Sequence, residues 1–185
     1  MNSYFLSIYS INPGDTCAKI PSWMKSDLAN RIINGKTAPS PIPWQVHLRQ
    51  GSPTDFSSFC GGTIIDAKTI LTAAHCYANK NLNSDNFFVT AGIVDRINDA
   101  GQSVFVEKII LHESYLEKNP ISPSNDIAIV KLKTPLAFND KVQQACLPEA
   151  SFVPTGKAVA SGWGWTRPDA FDLLADDRSP KDLQV

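Results

Sequence analysis

Residues 60–76 read CGGTIIDAKTILTAAHC. Two short β-branched runs, 63–65 and 70–72, make strand-like pieces, and the second leads into an ionisable ring, His75, held between Ala74 and Cys76. The plain reading of that ring is a strand-end histidine satisfied by a carbonyl. The chemical reading is a base, because imidazole titrates near neutral pH. The stretch also carries Cys60 and Cys76, two of four cysteines; Cys17 and Cys146 are the others. Four cysteines allow three pairings, and their even number fits disulfides in an oxidising compartment. Zinc is the rival where His75 adjoins Cys76, but the sequence has no Cys-x-x-Cys pair and no second histidine nearby, so neither metal nor cofactor is expected.

Outward from this stretch, short apolar runs recur at 44–48, 87–94, 103–111 and 126–132, with turn-formers between them at 50–55, 79–85 and 118–124. Many short strands separated by turn chemistry indicate an all-β sandwich or barrel. No ten-residue helical periodicity competes. The chain has 185 residues, 43% of them hydrophobic and 19% charged, which suits a globule. Its 17 basic and 18 acidic side chains leave a net charge of −1, with no basic stripe, so nucleic acid is not an expected partner. No apolar run reaches the length of a membrane span, and no membrane partner is expected.

The two ends read differently from the middle. Residues 1–31 are polar and irregular, punctuated by Pro13, Gly14 and Pro21. Within them 4–11 is mildly apolar but lacks a basic start and a small-residue cleavage site, so it makes a poor secretory signal. A second region begins near Val142, with one strand over 157–163 and an acidic loop over 165–181. Residues 182–185 read as the opening of a further strand, which needs a backbone partner, and the chain therefore looks cut. On that reading the strand edge at 157–163 is open, Trp163 and Trp165 lack their packing, and low solubility follows.

Three strings in fixed order carry a resemblance: Cys60-Gly-Gly-Thr-Ile-Ile, Leu71-Thr-Ala-Ala-His75-Cys76 and Asn125-Asp126-Ile-Ala-Ile-Val-Lys-Leu132. Pro43-Trp44-Gln45-Val46, Cys146-Leu-Pro and Ser161-Gly-Trp-Gly164 extend it. Together they closely resemble the trypsin/chymotrypsin-like serine proteases from about Arg31 to the last residue. Arg31-Ile32-Ile33-Asn34-Gly35 is similar to the family's zymogen activation site.

The resemblance implies a chymotrypsin-like double β-barrel, the first barrel essentially complete and the second only begun. It implies a pre- or propeptide segment at 1–31, a first barrel at 32–141 and an incomplete second barrel at 142–185. His75 would be the general base and Asp126 the buried acid that sets its tautomer, as in the known chemistry of the serine–histidine–aspartate triad. Cys60 would pair with Cys76, and Cys17 with Cys146. An activating trypsin-like protease would cut after Arg31 and free the Ile32 amine. Protein or peptide substrates and a secreted location are implied with them.

The family's Gly-Asp-Ser-Gly-Gly string, which supplies the nucleophile, does not occur; the only Gly-Asp is Gly14-Asp15. The 185-residue chain is therefore expected to be inactive by itself, with a non-catalytic secreted binding protein as the alternative. Ala158 stands where many relatives have a cysteine, and Ile93 follows Gly92 where calcium-binding relatives place carboxylates, so neither a third disulfide nor calcium is expected. His47 and His112 read as surface or strand-edge packing, and Asp95 and Asp99 as solvated loop charges.

Overall fold

The computed structural model describes residues 5–7, 17, 21–22, 24, 37–78, 80–82, 84–115, 124–153, 159–164 and 182–185. Among the described residues eight strands follow in chain order: β1 (Phe5–Ser7), β2 (Gln45–Ser52), β3 (Asp55–Asp66), β4 (Thr69–Thr72), β5 (Phe87–Ala91), β6 (Gln102–Leu111), β7 (Ala128–Leu132) and β8 (Val159–Ser161). Six of them close an antiparallel barrel in the order β2-β3-β4-β7-β6-β5, and β1 pairs with β8 in a separate two-stranded sheet. All-β expectation and closed barrel agree.

Alternation decides which side chains fill the barrel. On β7, Ala128, Val130 and Leu132 are buried while Ile129 and Lys131 are only partly so. Strand β5 is buried throughout, because Phe87, Val89 and Ala91 enter the barrel core while Phe88 on the other face is covered by Phe56 and Phe105. Gly62 of β3 packs close against β4 and β2. A Cβ there would come within 2.7 Å of Ile70 Cγ2 and 3.1 Å of the Leu71 carbonyl.

Three strand limits differ from the sequence reading. The turn expected over 50–55 is confined to 53–54, since Ser52 pairs with Asp55 and β3 begins there. Strand β5 stops at Ala91, where Gly92 turns the chain with φ 74°. Beyond it the carboxylate of Asp99 accepts the Val94 and Asp95 amides at 2.8 and 2.9 Å, and Asp95 accepts those of Ile97 and Asn98. These two loop acids stay solvent-accessible, as read from the sequence, and also build the turn.

The third difference concerns the carboxyl-terminal residues. Leu183 is fully buried in a second core cluster with Met24, Ala38, Ile42, Trp44, Ile93, Ala145 and Trp163. Its amide donates to the Val94 carbonyl at 2.8 Å and its carbonyl accepts from Ala38 at 2.7 Å. Gln184 exchanges backbone hydrogen bonds with Gly162. The segment thus has partners, and Trp163 is packed, with its indole N–H donating to the Val94 carbonyl at 2.8 Å. Strand β8 likewise meets β1, so its edge is not open on that side. Trp165 lies outside the described residues.

His47 packs beside the second cluster. It lies on β2, which pairs with β3 on one side and β5 on the other, so it is buried rather than at a surface or edge. Its ring lies 4.9 Å from that of Trp163, and its Nδ1 accepts from Arg49 Nε at 3.2 Å. Arg49 in turn donates to the Arg96 carbonyl at 2.7 Å and stacks 4.1 Å over Phe56. Burial, and then the charges of Arg49 and Arg96, push the imidazole down to about 3 from 6.5.

Between pH 6.5 and about 3 the unfolded chain holds a proton on His47 that the native chain does not. Stability therefore falls as pH drops through that window, by up to about 1.4 kcal/mol per pH unit from this group. His47→Gln keeps an acceptor for Arg49 and removes the titration. Urea unfolding of this variant between pH 6.5 and 4 is expected to show a shallower loss of stability than the parent chain; equal slopes would refute the assignment.

Candidate active site

His75 follows β4 on a single 3₁₀ turn, Ala74–Cys76, entered from an extended Ala73. The turn is tied down at three points. The Tyr77 amide donates to the Ala74 carbonyl at 3.0 Å, and the buried Tyr77 ring packs edge-on against Phe59 and Phe87. Burial pushes the Tyr77 hydroxyl upward, so it stays neutral. Thr72 Oγ1 donates to the Gly61 carbonyl at 2.8 Å, stitching β4 to β3. Cys76 is joined to Cys60 of β3 by a disulfide with a Cα–Cα distance of 6.1 Å.

Asp126 arrives from the other side of the β4–β7 pair. Thr72 pairs with Ala128, so the residues just beyond β4 and just before β7 meet at the same barrel end. Asn125 takes the left-handed conformation, φ 58°, which asparagine tolerates better than most residues. Its side-chain amide donates to the Ser114 carbonyl at 3.1 Å, and its carbonyl accepts from Ile127. That turn aims the Asp126 carboxylate back at His75, 51 positions away in sequence.

The carboxylate holds His75 twice. Oδ1 accepts the His75 backbone N–H at 2.8 Å, and Oδ2 lies 2.6 Å from ring Nδ1. An ionised carboxylate can only accept, so the ring proton belongs on Nδ1 and Nε2 becomes the proton-accepting atom. The side chains keep 33% and 23% of their exposure, so the ring is reachable. Such a neutral imidazole can take a proton from an incoming hydroxyl, and the carboxylate can stabilise the cation that forms.

The remaining sequence-singled residues fall as follows. Cys17 and Cys146 form the second disulfide, 129 residues apart in sequence. Arg31 and Ile32 lie outside the described residues. His112 is exposed and accepts the Ser114 amide on Nδ1. Cys60, Cys76 and His75 do bring three ligand atoms within 4.8 Å of one another, the only such group among the described residues. Their sulfurs are bonded to each other, so no thiolate is available for a metal. Two details escaped sequence reasoning: the bond from Asp126 to the His75 backbone, and the part of Asn125 in aiming it.

A family model described as Trypsin matches residues 32–179. The chain belongs to the trypsin family. It is 36% identical over 158 residues to Transmembrane protease serine 9 of Rattus norvegicus, covering 83% of this chain and 14% of that protein. It is also 36% identical over 143 residues to the Clotting factor G beta subunit of Tachypleus tridentatus, covering 74% of this chain and 44% of that one. The chain thus spans less than half the length of these relatives. Among the described residues of this trypsin-family chain, no helix is long and apolar enough to cross a membrane.

Replacing Asp126 by alanine leaves the His75 amide and ring without their acceptor. We expect a loss of about 1–3 kcal/mol and faster hydrogen exchange at the His75 amide. Alanine at the exposed Asp140 should change stability by no more than about 0.5 kcal/mol. Unchanged exchange at His75 in the Asp126→Ala chain would show that the carboxylate does not hold it.

Proposed function

We propose that this chain contributes the base and the orienting acid of a serine endopeptidase, His75 and Asp126, and that it is the amino-terminal part of a zymogen. The carrying observation is the double hold of one carboxylate on the His75 backbone and ring, at 2.8 and 2.6 Å. In the reaction, Nε2 takes the proton of an attacking serine hydroxyl and later passes it to the leaving amine, while Asp126 stabilises the intermediate imidazolium. The serine comes from outside these 185 residues, because no Gly-Asp-Ser-Gly-Gly string occurs in them. Protein or peptide substrates follow from that chemistry.

The segments 1–31, 32–141 and 142–185 stand in this proposal as propeptide, first barrel and start of the second. Cleavage after Arg31 by a trypsin-like protease activates the whole protein, and the Cys17–Cys146 disulfide keeps the released segment attached. Two disulfides support a secreted, oxidising setting. The rival reading, a non-catalytic binding protein, leaves the retained His75–Asp126 pair and the Arg31-Ile32 site without a use.

The 185-residue chain should hydrolyse peptide amides no faster than buffer. Joined in frame to a trypsin-family segment carrying Gly-Asp-Ser-Gly-Gly and cut to begin Ile-Ile-Asn-Gly, it should turn over peptides, and His75→Ala should lower that turnover on the order of a millionfold. His75-dependent hydrolysis by the unjoined chain would overturn the proposal, as would a joined protein whose activity ignores His75.

A further inference from the structure

Strand β8 stands outside the closed barrel, so its backbone groups depend on partners remote in sequence. One partner comes from the opposite end of the chain. Strand β1 runs antiparallel to it, with Phe5 opposite Ser161, Leu6 opposite Ala160 and Ser7 opposite Val159. Among the described residues this small sheet has no third strand. A bare strand edge offers its amides and carbonyls to any extended segment, and edge-to-edge pairing between copies is the common result.

Two further attachments hold the amino-terminal stretch beside β8. Cys17, ten positions past Ser7, is bonded to Cys146, thirteen positions before Val159. Met24 is buried in the second cluster together with Trp163, two positions beyond Ser161. The covalent and the packed attachment therefore reach the chain before and after β8. Three residues of strand pairing are too few to persist unaided. Pairing β1 with β8 in an unbridged chain also closes a loop of most of its length, whereas the disulfide leaves only a short tether. Closing a short loop costs less entropy, and the tether keeps β1 at a high effective concentration beside its partner.

We propose that β1 is a guard strand: tethered by Cys17–Cys146, it occupies the β8 edge and keeps two copies of the chain from pairing through that edge. The competing occupant is β8 of a second copy. Identical strands pair antiparallel about a two-fold axis, which in full register sets Ala160 opposite Ala160. The pairing with β1 already shows that this edge takes an antiparallel partner. Each copy frees one such edge when β1 leaves, so the association closes at a weak dimer. The role rests on backbone pairing at 5–7 and 159–161 and on the tether, and it stands whether or not His75 serves a protease.

The test uses the full chain. Phe5→Pro, Leu6→Pro and Ser7→Pro together remove every amide donor of β1. In dilute solution the bonded amides among 159–161 should then exchange about tenfold faster than in the parent, while barrel amides such as that of Val130 keep their rate. At raised concentration this chain should form a dimer in the ultracentrifuge and regain protection at 159–161. An excess of a peptide of residues 1–10 should dissolve that dimer. The parent should stay monomeric over the same range, and Cys17→Ser with Cys146→Ser should fall between the two. The proposal fails if the proline chain protects 159–161 as the parent does, if it stays monomeric with those amides exposed, or if its dimer ignores the peptide. It also fails if the barrel amides lose protection along with β8, because β1 would then support the whole fold rather than guard one edge.

Discussion

One carboxylate accepting two hydrogen bonds from a single residue is the constraint on which this barrel end depends. Asp126 takes the backbone N–H of His75 and its ring N–H together, so it fixes where the residue sits and which way its imidazole faces. Neither partner is near the other in sequence, and the β4–β7 register, with Thr72 opposite Ala128, is what brings them together. The left-handed turn at Asn125 supplies the last change of direction. Around the pair, Tyr77 seals the barrel and the Cys60–Cys76 bond ties the turn to β3.

The covalent ties act mainly on the unfolded chain. In the chain-entropy model, closing a loop such as Cys60–Cys76 contributes about 3 kcal/mol, and the much longer Cys17–Cys146 loop about 5 kcal/mol. The second bridge spans 129 positions and fastens the amino-terminal stretch to the region beyond the barrel. Noncovalent packing makes a parallel connection through Trp163 and Leu183, which share the Val94 carbonyl as acceptor, and through His47, whose ring faces Trp163. The turn built by Asp95 and Asp99 presents that carbonyl.

Much of this was legible in the sequence, and the parts that were not share a physical cause. Period-two runs such as 128–132 declare themselves because one face is apolar. The first residues of β3, Asp-Phe-Ser-Ser-Phe, do not, since their strand state comes from pairing with β2 rather than from their own pattern. His47 looks like a surface residue until its strand neighbour Arg49 is joined by Arg96 and Trp163, which come from two distant stretches. The terminal Asp182-Leu-Gln-Val reads as an orphan strand because its partners, Thr37, Asp95 and Gly162, are remote in sequence. At the site, strings in the sequence single out both His75 and Asp126. The backbone half of their contact is invisible there, since every residue type except proline presents the same N–H at 75.

The account turns on where the His75 proton lies, because only a ring protonated at Nδ1 and bare at Nε2 can act as the base. Nitrogen-15 spectra of the folded chain, with histidine labelled and the ring neutral, read that directly. The account predicts a protonated, pyrrole-type Nδ1 at His75 and a pyridine-type Nε2, with the pattern lost in Asp126→Ala. A neutral His75 carrying its proton on Nε2 would contradict it.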